Sequence, residues 1–302
     1  MLFEPGQILR EALVEEFPLQ AVGVINAYTA KLAYDIGFKA LYLSGAGVAN
    51  ADLGLPDLAL TSLDDVLYRV RHISSVTNAP IIVDADTGWG NPLMVRRTFF
   101  ELEKAGAAAA HIEDQHYIKR CGHRPGKQLV STDEMCERIR FACSGRIRPS
   151  FMVIARTDAF AEEGLSGIIK RARDYQLAGA DMLFAEAIPS KEDFDELTQQ
   201  VSLPVMANMT EFGKTPIMDV NELAEVNISC VIYPLSAFRA MNAAAVAVYQ
   251  TIRKEGSQKK VVDMMQTRDE LYEHLNYKKY EKQIDHYFKN IEKPSEESLN
   301  DE

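Results

Sequence analysis

Short apolar segments alternate with longer amphipathic segments along most of this sequence, and this alternation restricts the fold more than any other feature. Each short segment has the length and composition of a buried strand, and each precedes a segment whose apolar residues have helical spacing. The eight predicted strands are Val22–Asn26, Ala40–Ser44, Pro80–Asp86, Ala108–Asp114, Phe151–Thr157, Asp181–Glu186, Leu203–Asn208 and Ser229–Tyr233. Eight strand–helix units in succession favour a closed (β/α)8 barrel, the TIM-barrel form of the α/β class.

An open, doubly wound sheet is the alternative fold, but no GxGxxG turn follows the first predicted strand. Residues Gly6–Phe17 have helical spacing and predict an N-terminal helix that lies on the barrel. After Gly256 the alternation stops, and Val261–Met265, Glu270–Leu275 and Tyr280–Phe288 predict further helices. We therefore expect a single domain over residues 1–290, a helical extension over about 257–290, and a disordered acidic tail over 291–302.

The composition narrows the class of protein. A chain of 302 residues with a net charge of −11 argues against a nucleic-acid or anionic-membrane partner. The four cysteines form no CxxC pair or zinc-binding spacing, which is typical of a reducing compartment. No N-terminal apolar leader and no apolar run of membrane-spanning length are present. We expect a cytoplasmic protein.

The stretch from His111 to Lys127 combines an apolar segment, two acids and a strongly basic loop. The segment ends at Glu113 and Asp114, and the basic residues Lys119, Arg120, His123, Arg124 and Lys127 then surround the thiol of Cys121. Neighbouring cations favour the thiolate and prepare a cysteine for proton transfer or nucleophilic attack. A cationic segment in an acidic protein indicates a site for a small anion, although a solvated run of charges is the alternative interpretation.

The third predicted strand ends in two carboxylates, Asp84 and Asp86, whose side chains share a face because they are two residues apart. Two carboxylates this close repel each other unless a cation lies between them, and oxygen ligands favour Mg2+ or Mn2+. A helix-capping aspartate beside a salt-bridged one is the alternative.

Polar side chains also follow the other strands, where a barrel places its catalytic groups. Two arginines suited to binding carboxylates, Arg156 and Arg239, occur there together with Glu186, Asn208 and Thr210. Together they predict a site for a polycarboxylate.

Several motifs resemble the isocitrate lyase and phosphoenolpyruvate mutase superfamily. The motifs that carry this resemblance are Asp84–Gly90, His111–Asp114 and Lys119–Arg124. A second group of motifs resembles its 2-methylisocitrate lyase family, namely Leu53–Asp57, Ala155–Asp158, Asn208–Gly213, Tyr233–Arg239 and Met265–Arg268. The resemblance runs from about Gly23 to Tyr280. It implies a (β/α)8 barrel whose C-terminal helix is exchanged between the subunits of a homotetramer.

The resemblance also implies roles for individual residues. Asp84 and Asp86 would hold Mg2+, with Mn2+ as a substitute, and Glu113 and Asp57 would assist through water. The substrate-binding residues would be Ser44, Gly45, Ala46, Asp57, Cys121, Gly122, Arg156, Glu186, Asn208, Thr210, Arg239 and Arg268. The catalytic residues would be Cys121, Lys119, His123 and Tyr42. Family members often have glycine at Ala46 and proline at Ala185, so these two positions leave the exact substrate open.

The implied reaction is a Mg2+-assisted retro-Claisen cleavage of 2-methylisocitrate to pyruvate and succinate. Cys121 would donate a proton to the carbanion carbon, since no acyl-transfer or phosphoryl-transfer partner for a nucleophilic thiol is present. Tyr42, Asp57 and a metal-bound water are alternatives for the general base. The alternative activity is cleavage of isocitrate or of another 2-hydroxy-polycarboxylate by a lyase of the superfamily, and a non-catalytic metabolite-binding barrel is a third interpretation.

Overall fold

The structure, a computed structural model, describes residues 4–120, 122, 124 and 126–291. It contains two compact units, Met1–Asn242 and Ala243–Glu302. Eight parallel strands in the first unit form a closed barrel in sequence order, with the last strand paired to the first. They are β1 Leu19–Gly23, β2 Ala40–Leu43, β3 Ile81–Asp84, β4 Ala109–Glu113, β5 Met152–Thr157, β6 Met182–Ala185, β7 Val205–Asn208 and β8 Cys230–Tyr233. The predicted (β/α)8 fold is confirmed.

Helices follow the strands and cover the barrel. In the first unit they are α1 Pro5–Glu15, α2 Ala27–Ile36, α3 Gly45–Asp52, α4 Leu63–Ser74, α5 Pro92–Lys104, α6 Thr132–Gly145, α7 Phe160–Ala178, α8 Lys191–Gln200 and α9 Val220–Glu225. Helix α10, Ser236–Glu255, continues into the second unit, which also contains a 3-10 helix at Lys259–Met264, α11 Arg268–His274 and α12 Tyr277–Ile291. Across the described residues, no helix combines the length and apolarity needed to cross a membrane.

Successive side chains along each strand point to opposite faces of the barrel wall, and this alternation produces two apolar cores. Residues such as Leu41, Ile81 and Val83 point outward and pack beneath the helices. Residues such as Tyr42 and Ile82 point into the barrel, where Leu9 of α1 joins the same cluster. The N-terminal helix therefore contributes apolar side chains to the core inside the barrel, which leaves the carboxyl ends of the strands for polar groups.

Helix starts follow the sequence signals closely. Ser62 and Asp65 form a complete capping box at α4, and the Asn91 side chain accepts a hydrogen bond from Met94 N–H before Pro92 begins α5. At α6 and α8, the serine cap accepts from the third helical N–H, although no reciprocal bond completes a box. Side-chain capping of this kind satisfies backbone donors that have no partner within the helix.

The prediction for the first strand was wrong by three residues. Strand β1 begins at Leu19 and ends at Gly23, whereas Asn26 caps α2 and accepts a hydrogen bond from Thr29 N–H. The other predicted strands agree with the observed ones to within about two residues at each end, as is common for strand boundaries. The single domain over residues 1–290 stays a prediction, and residues 292–302 lie outside the described part of the chain.

Candidate active site

A small polar cavity of about 90 Å3 lies at the carboxyl ends of the barrel strands. Its lining includes most of the residues that the sequence predicts for the site: Tyr42, Ser44, Ala46, Asp57, Asp84, Gly122, Arg156, Glu186, Asn208, Thr210 and Arg239. Phe184, Pro234 and Leu235 complete the lining. Residues that are far apart in the sequence thus meet in one place, because all eight strands end on this face of the barrel.

Two carboxylates on one side of the cavity lie against the first turn of α3. The Gly45 N–H donates to Asp84 Oδ2 at 3.1 Å, and the Asp86 N–H donates to Asp84 Oδ1 at 3.0 Å. A Cβ atom on Gly45 would lie 3.1 Å from Asp84 Oδ2 and 3.2 Å from Asp86 Oδ1. The absence of a side chain at Gly45 therefore leaves room for both carboxylates at the positive end of a helix.

These carboxyl groups have strongly perturbed pKa values. Burial raises the pKa of Asp86 to about 6, against the opposing effect of Lys119. Burial would also raise the pKa of Asp84, but His111, Lys119 and Arg156 together lower it to about 2. For Glu113, burial raises the pKa well above its ordinary value despite Arg156. Such a cluster gains most when a cation binds, because the cation favours every deprotonated form.

The residues present fit a divalent metal with oxygen ligands. Both carboxylate oxygens of Glu113 are fully buried without a hydrogen-bond partner among the described residues, and so is Asn208 Oδ1. Across those same residues, no group of three or more His, Cys, Asp or Glu side chains is arranged to hold a metal ion. Mg2+ commonly keeps several waters and takes only one or two carboxylates directly. The predicted arrangement, with Asp84 and Asp86 as direct ligands and Glu113 acting through water, is consistent with this coordination of Mg2+.

Lys119 is the buried cation that faces this cluster. Its Nζ atom lies 2.5 Å from Asp86 Oδ1 and 2.6 Å from Asp57 Oδ1. Burial would lower the pKa of Lys119, but Asp86, Glu113, Asp84 and Asp57 raise it well above its ordinary value. The ammonium group therefore neutralises protein carboxylates. The sequence analysis interpreted the basic loop as a site for an anion, but Lys119 of this loop forms ion pairs with the protein's own Asp57 and Asp86.

Arg156 is the central cation of the cavity and contacts three carboxylates. Its Nε lies 2.9 Å from Asp158 Oδ2 and 3.4 Å from Glu113 Oε2, and its Nη2 lies 3.6 Å from Glu186 Oε2. The guanidinium also lies over the ring of Phe184, 5.0 Å from its centroid. These contacts hold the plane of the guanidinium in one orientation, which suits it to bind a carboxylate with defined geometry.

The opposite wall comes from the ends of β7 and β8. Asn208 Nδ2 donates to both carboxylate oxygens of Glu186 at 3.3 Å, and Thr210 is buried beside it. Arg239 Nη1 donates to the carbonyl of Glu211 at 3.1 Å and remains partly exposed. This wall therefore presents an amide, a hydroxyl and a second guanidinium to a ligand.

Tyr42 forms a buried pair with His111 inside the barrel. The Tyr42 hydroxyl oxygen lies 2.8 Å from His111 Nε2, and the two rings stack with centroids 5.8 Å apart. Burial, reinforced by Asp84, raises the pKa of Tyr42 well above 10.0, and burial lowers the pKa of His111 to about 4. The neutral imidazole therefore forms a hydrogen bond with the neutral phenol, and the tyrosinate form of Tyr42 that could act as a base is disfavoured.

Three predicted site residues cannot be placed in the cavity. Cys121 and His123 lie outside the described residues, and Arg268 begins α11 in the second unit. Their assigned roles stay predictions. Sequence reasoning did not assign Phe184, His111 or Asp158 to the site, and it named Lys127 only as one of the basic loop residues around Cys121. Asp158 had a usable signal, since it lies two residues after Arg156 and so shares its face of the chain.

Comparison with known proteins gives a consistent result. The sequence pattern of the phosphoenolpyruvate phosphomutase family matches residues 9–253. The 2-methylisocitrate lyase of Salmonella typhimurium is 51% identical over 290 residues, which cover 96% of this chain and 98% of that protein. The 2-methylisocitrate lyase of Aeropyrum pernix is 43% identical, with 93% and 90% of the two chains covered.

Solved structures show the same architecture. The crystal structure of 2,3-dimethylmalate lyase has a TM-score of 0.87 and 35% identity, and the match covers 93% of this chain and 95% of that chain. A complex of phosphonopyruvate hydrolase with oxalate and Mg++ has a TM-score of 0.81 and 27% identity, with 92% and 97% covered.

Proposed function

We propose that this chain, which belongs to the phosphoenolpyruvate mutase and isocitrate lyase superfamily and to its 2-methylisocitrate lyases, cleaves 2-methylisocitrate to pyruvate and succinate. The observation that carries this proposal is the 51% identity to a 2-methylisocitrate lyase over nearly the whole of both chains. A cavity lined by two arginines, an amide and several carboxylates is consistent with a polycarboxylate substrate. The protein is a carbon–carbon lyase.

The reaction needs one proton removed and one proton delivered. The tertiary hydroxyl of the substrate loses its proton, the C2–C3 bond breaks, and the hydroxyl oxygen becomes the keto oxygen of pyruvate. The bonding electrons stay on the succinate half, whose carbon then takes up a proton. Bound Mg2+ supplies Lewis-acid stabilisation of the negative charge that develops.

The side chains of the cavity divide this work. Arg156 and Arg239 bind substrate carboxylates, and Asn208 and Thr210 orient them by hydrogen bonds. Cys121 donates the proton to carbon, a role supported by its position in the basic loop. The proton acceptor for the hydroxyl remains one of Tyr42, Asp57 and a water molecule; the raised pKa of Tyr42 argues against its tyrosinate form.

Mg2+ is the metal that we propose for the acidic side of the cavity, with Mn2+ as a substitute. Asp84 and Asp86 would bind it directly, and Glu113 and Asp57 through water. The buried oxygens of Glu113 accept no hydrogen bond from the described residues, which supports this arrangement, since a metal-coordinated water would donate to them.

An assay for both products tests the proposal. Purified protein with Mg2+ should release pyruvate and succinate from 2-methylisocitrate, and a chelator should abolish the reaction. The kcat/KM for isocitrate should be lower, and a higher value for isocitrate would favour the alternative activity. Cys121→Ser should fold and bind Mg2+ but lose nearly all turnover, whereas Cys143→Ser, on α6 and outside the cavity lining, serves as the matched control. A Cys121→Ser rate near that of the unaltered protein would remove this thiol from the mechanism.

We further propose that the protein is a homotetramer and acts in the cytoplasm, in the methylcitrate cycle of propionate catabolism. Large apolar side chains in the second unit, including Tyr280, Ile284, Tyr287 and Phe288, are exposed in the single chain, which supports burial by other subunits. The free thiols of Cys136, Cys143 and Cys230 are consistent with a reducing compartment. Sedimentation equilibrium should give four times the 33.8 kDa chain mass, and a monomer would contradict the assembly.

A further inference from the structure

Two buried polar side chains form hydrogen bonds with the backbone on either side of position 121. Gln115 and Lys127, which are 0% and 8% exposed, lie at the two ends of the basic loop. Gln115 pairs with Leu129 in an antiparallel bridge, so the loop between them is closed at its base. The two ends of the loop are therefore held next to each other.

Gln115 holds the residue before position 121. Its Nε2 donates to the carbonyl of Arg120 at 2.9 Å, and its Oε1 accepts from the Arg120 N–H at 3.0 Å. A side-chain amide that satisfies both backbone groups of one residue imitates a strand partner. Because Gln115 is fully buried two residues after β4, it fixes the backbone of Arg120 relative to the barrel.

Lys127 holds the residue after position 121. Its Nζ donates to the carbonyl of Gly122 at 2.7 Å and to Asp158 Oδ1 at 3.1 Å. Asp158 is the same carboxylate that binds the guanidinium of Arg156, so Lys127 connects the loop to the central cation of the cavity. Gly122 itself lies close to the cavity wall, since a Cβ there would lie 2.5 Å from Glu186 Cγ and 2.6 Å from Arg156 Nη2.

We infer that Gln115 and Lys127 are positioning residues for the proton donor of the proposed reaction. They act through the backbone of Arg120 and Gly122 and do not touch the reacting atoms. The inference rests on the proposed function only for the identity of the proton transfer, because the hydrogen bonds themselves belong to the fold. The charge-assisted bond of Lys127 serves the geometry of the loop, since the ammonium is occupied by a protein carboxylate and a carbonyl.

The test uses Gln115→Met and Lys127→Met, which keep side-chain length and remove the hydrogen bonds. Misplacement of a reacting group by about 1 Å can cost about 100-fold in rate, so we expect kcat to fall by about that factor with KM changed by less than about threefold. The exposed residues Gln128 and Lys170 allow the same two substitutions as matched controls, and both control variants should retain the kcat of the unaltered protein.

Limited trypsin digestion, followed by mass spectrometry, measures how firmly the loop backbone is held, and it does not depend on catalytic activity. Cleavage after Lys119 and Arg120 should be several-fold faster in Gln115→Met and Lys127→Met than in their controls, at temperatures well below unfolding. A kcat within about twofold of the unaltered protein in both variants, or cleavage at the control rate, would overturn the inference. If the unaltered protein does not cleave 2-methylisocitrate, the proposed function fails, and the digestion still decides whether the two side chains hold the loop.

Discussion

At the scale of single residues, the most informative position is one without a side chain. The sequence resemblance assigns Gly45 to the substrate, together with Ser44 and Ala46. In the structure, Gly45 lies against the carboxylates of Asp84 and Asp86 and donates its N–H to the first of them. Its assignment to the substrate stays a prediction, and we propose that it also shapes the side of the cavity where the metal would bind.

Replacing Gly45 with alanine should weaken metal binding without unfolding the protein. The added Cβ would meet carboxylate oxygens at 3.1 and 3.2 Å, so the ligands must shift by a few tenths of an ångström. Changes next to metal ligands typically cost about 10- to 100-fold in affinity, and we expect Gly45→Ala to raise the Kd for Mg2+ within this range by calorimetry. Gly47→Ala in the same helix is the matched control, because its Cβ would meet the flexible end of Leu235. Equal Kd values for the two variants would contradict this account.

Which site residues can be predicted from sequence depends on how local their geometry is. Asp84, Arg156, Glu186 and Asn208 follow from the rule that barrel enzymes place polar groups at strand ends. The partners of Lys119 and Lys127 do not follow from sequence. Each lysine pairs with a carboxylate from a different strand end or loop, and only the closed barrel brings them together.

At the scale of elements, regular helices and strands were predictable where their ends carry a chemical signal. The starts of α4 and α5 have capping side chains that the sequence displays directly. Strand β1 was misplaced because its neighbourhood is apolar on both sides of the true boundary, and the capping role of Asn26 was missed. Helix α3 was also missed, because Ser44 provides no side-chain cap and the helix begins with glycine.

One buried aspartate joins three elements, and its loss should destabilise the barrel. Asp114, directly after β4, accepts hydrogen bonds from Thr157 Oγ1 at the end of β5 and from the Asp158 N–H that follows it, and also from Tyr175 and Arg171 on α7. Asp114→Asn removes the charge and presents an amide donor to groups that are themselves donors. We expect a loss of about 3 kcal/mol in the free energy of unfolding, measured by urea denaturation.

The control for this prediction is Glu137→Gln, an equivalent charge removal at an exposed position of α6. It should change the free energy of unfolding by less than about 0.5 kcal/mol. If Asp114→Asn were no less stable than Glu137→Gln, the network around Asp114 would not connect β4, β5 and α7 energetically.

At the scale of the whole molecule, charge links the fold to the proposed metal. The protein has a net charge of −11, and the cavity region itself contains more acids than bases. The acids are Asp57, Asp84, Asp86, Glu113, Asp158 and Glu186, and the bases are Lys119, Lys127, Arg156 and Arg239. An anionic polycarboxylate entering this region would meet net repulsion, which a divalent cation would offset.

Metal binding to the folded barrel should therefore stabilise the whole molecule. A ligand that binds only the native state adds about 2.7 kcal/mol at 100 times its Kd, which corresponds to a rise of about 5 °C in Tm for a chain of this size. We expect Tm to rise by about that amount when chelated protein receives saturating Mg2+, in a scan by differential calorimetry. Asp84→Asn should show no Mg2+-dependent rise, because it lacks a direct ligand, while retaining the hydrogen-bonding shape of the side chain. An equal rise in both proteins would locate the stabilising ion elsewhere, and no rise in either would argue against a metal at this end of the barrel.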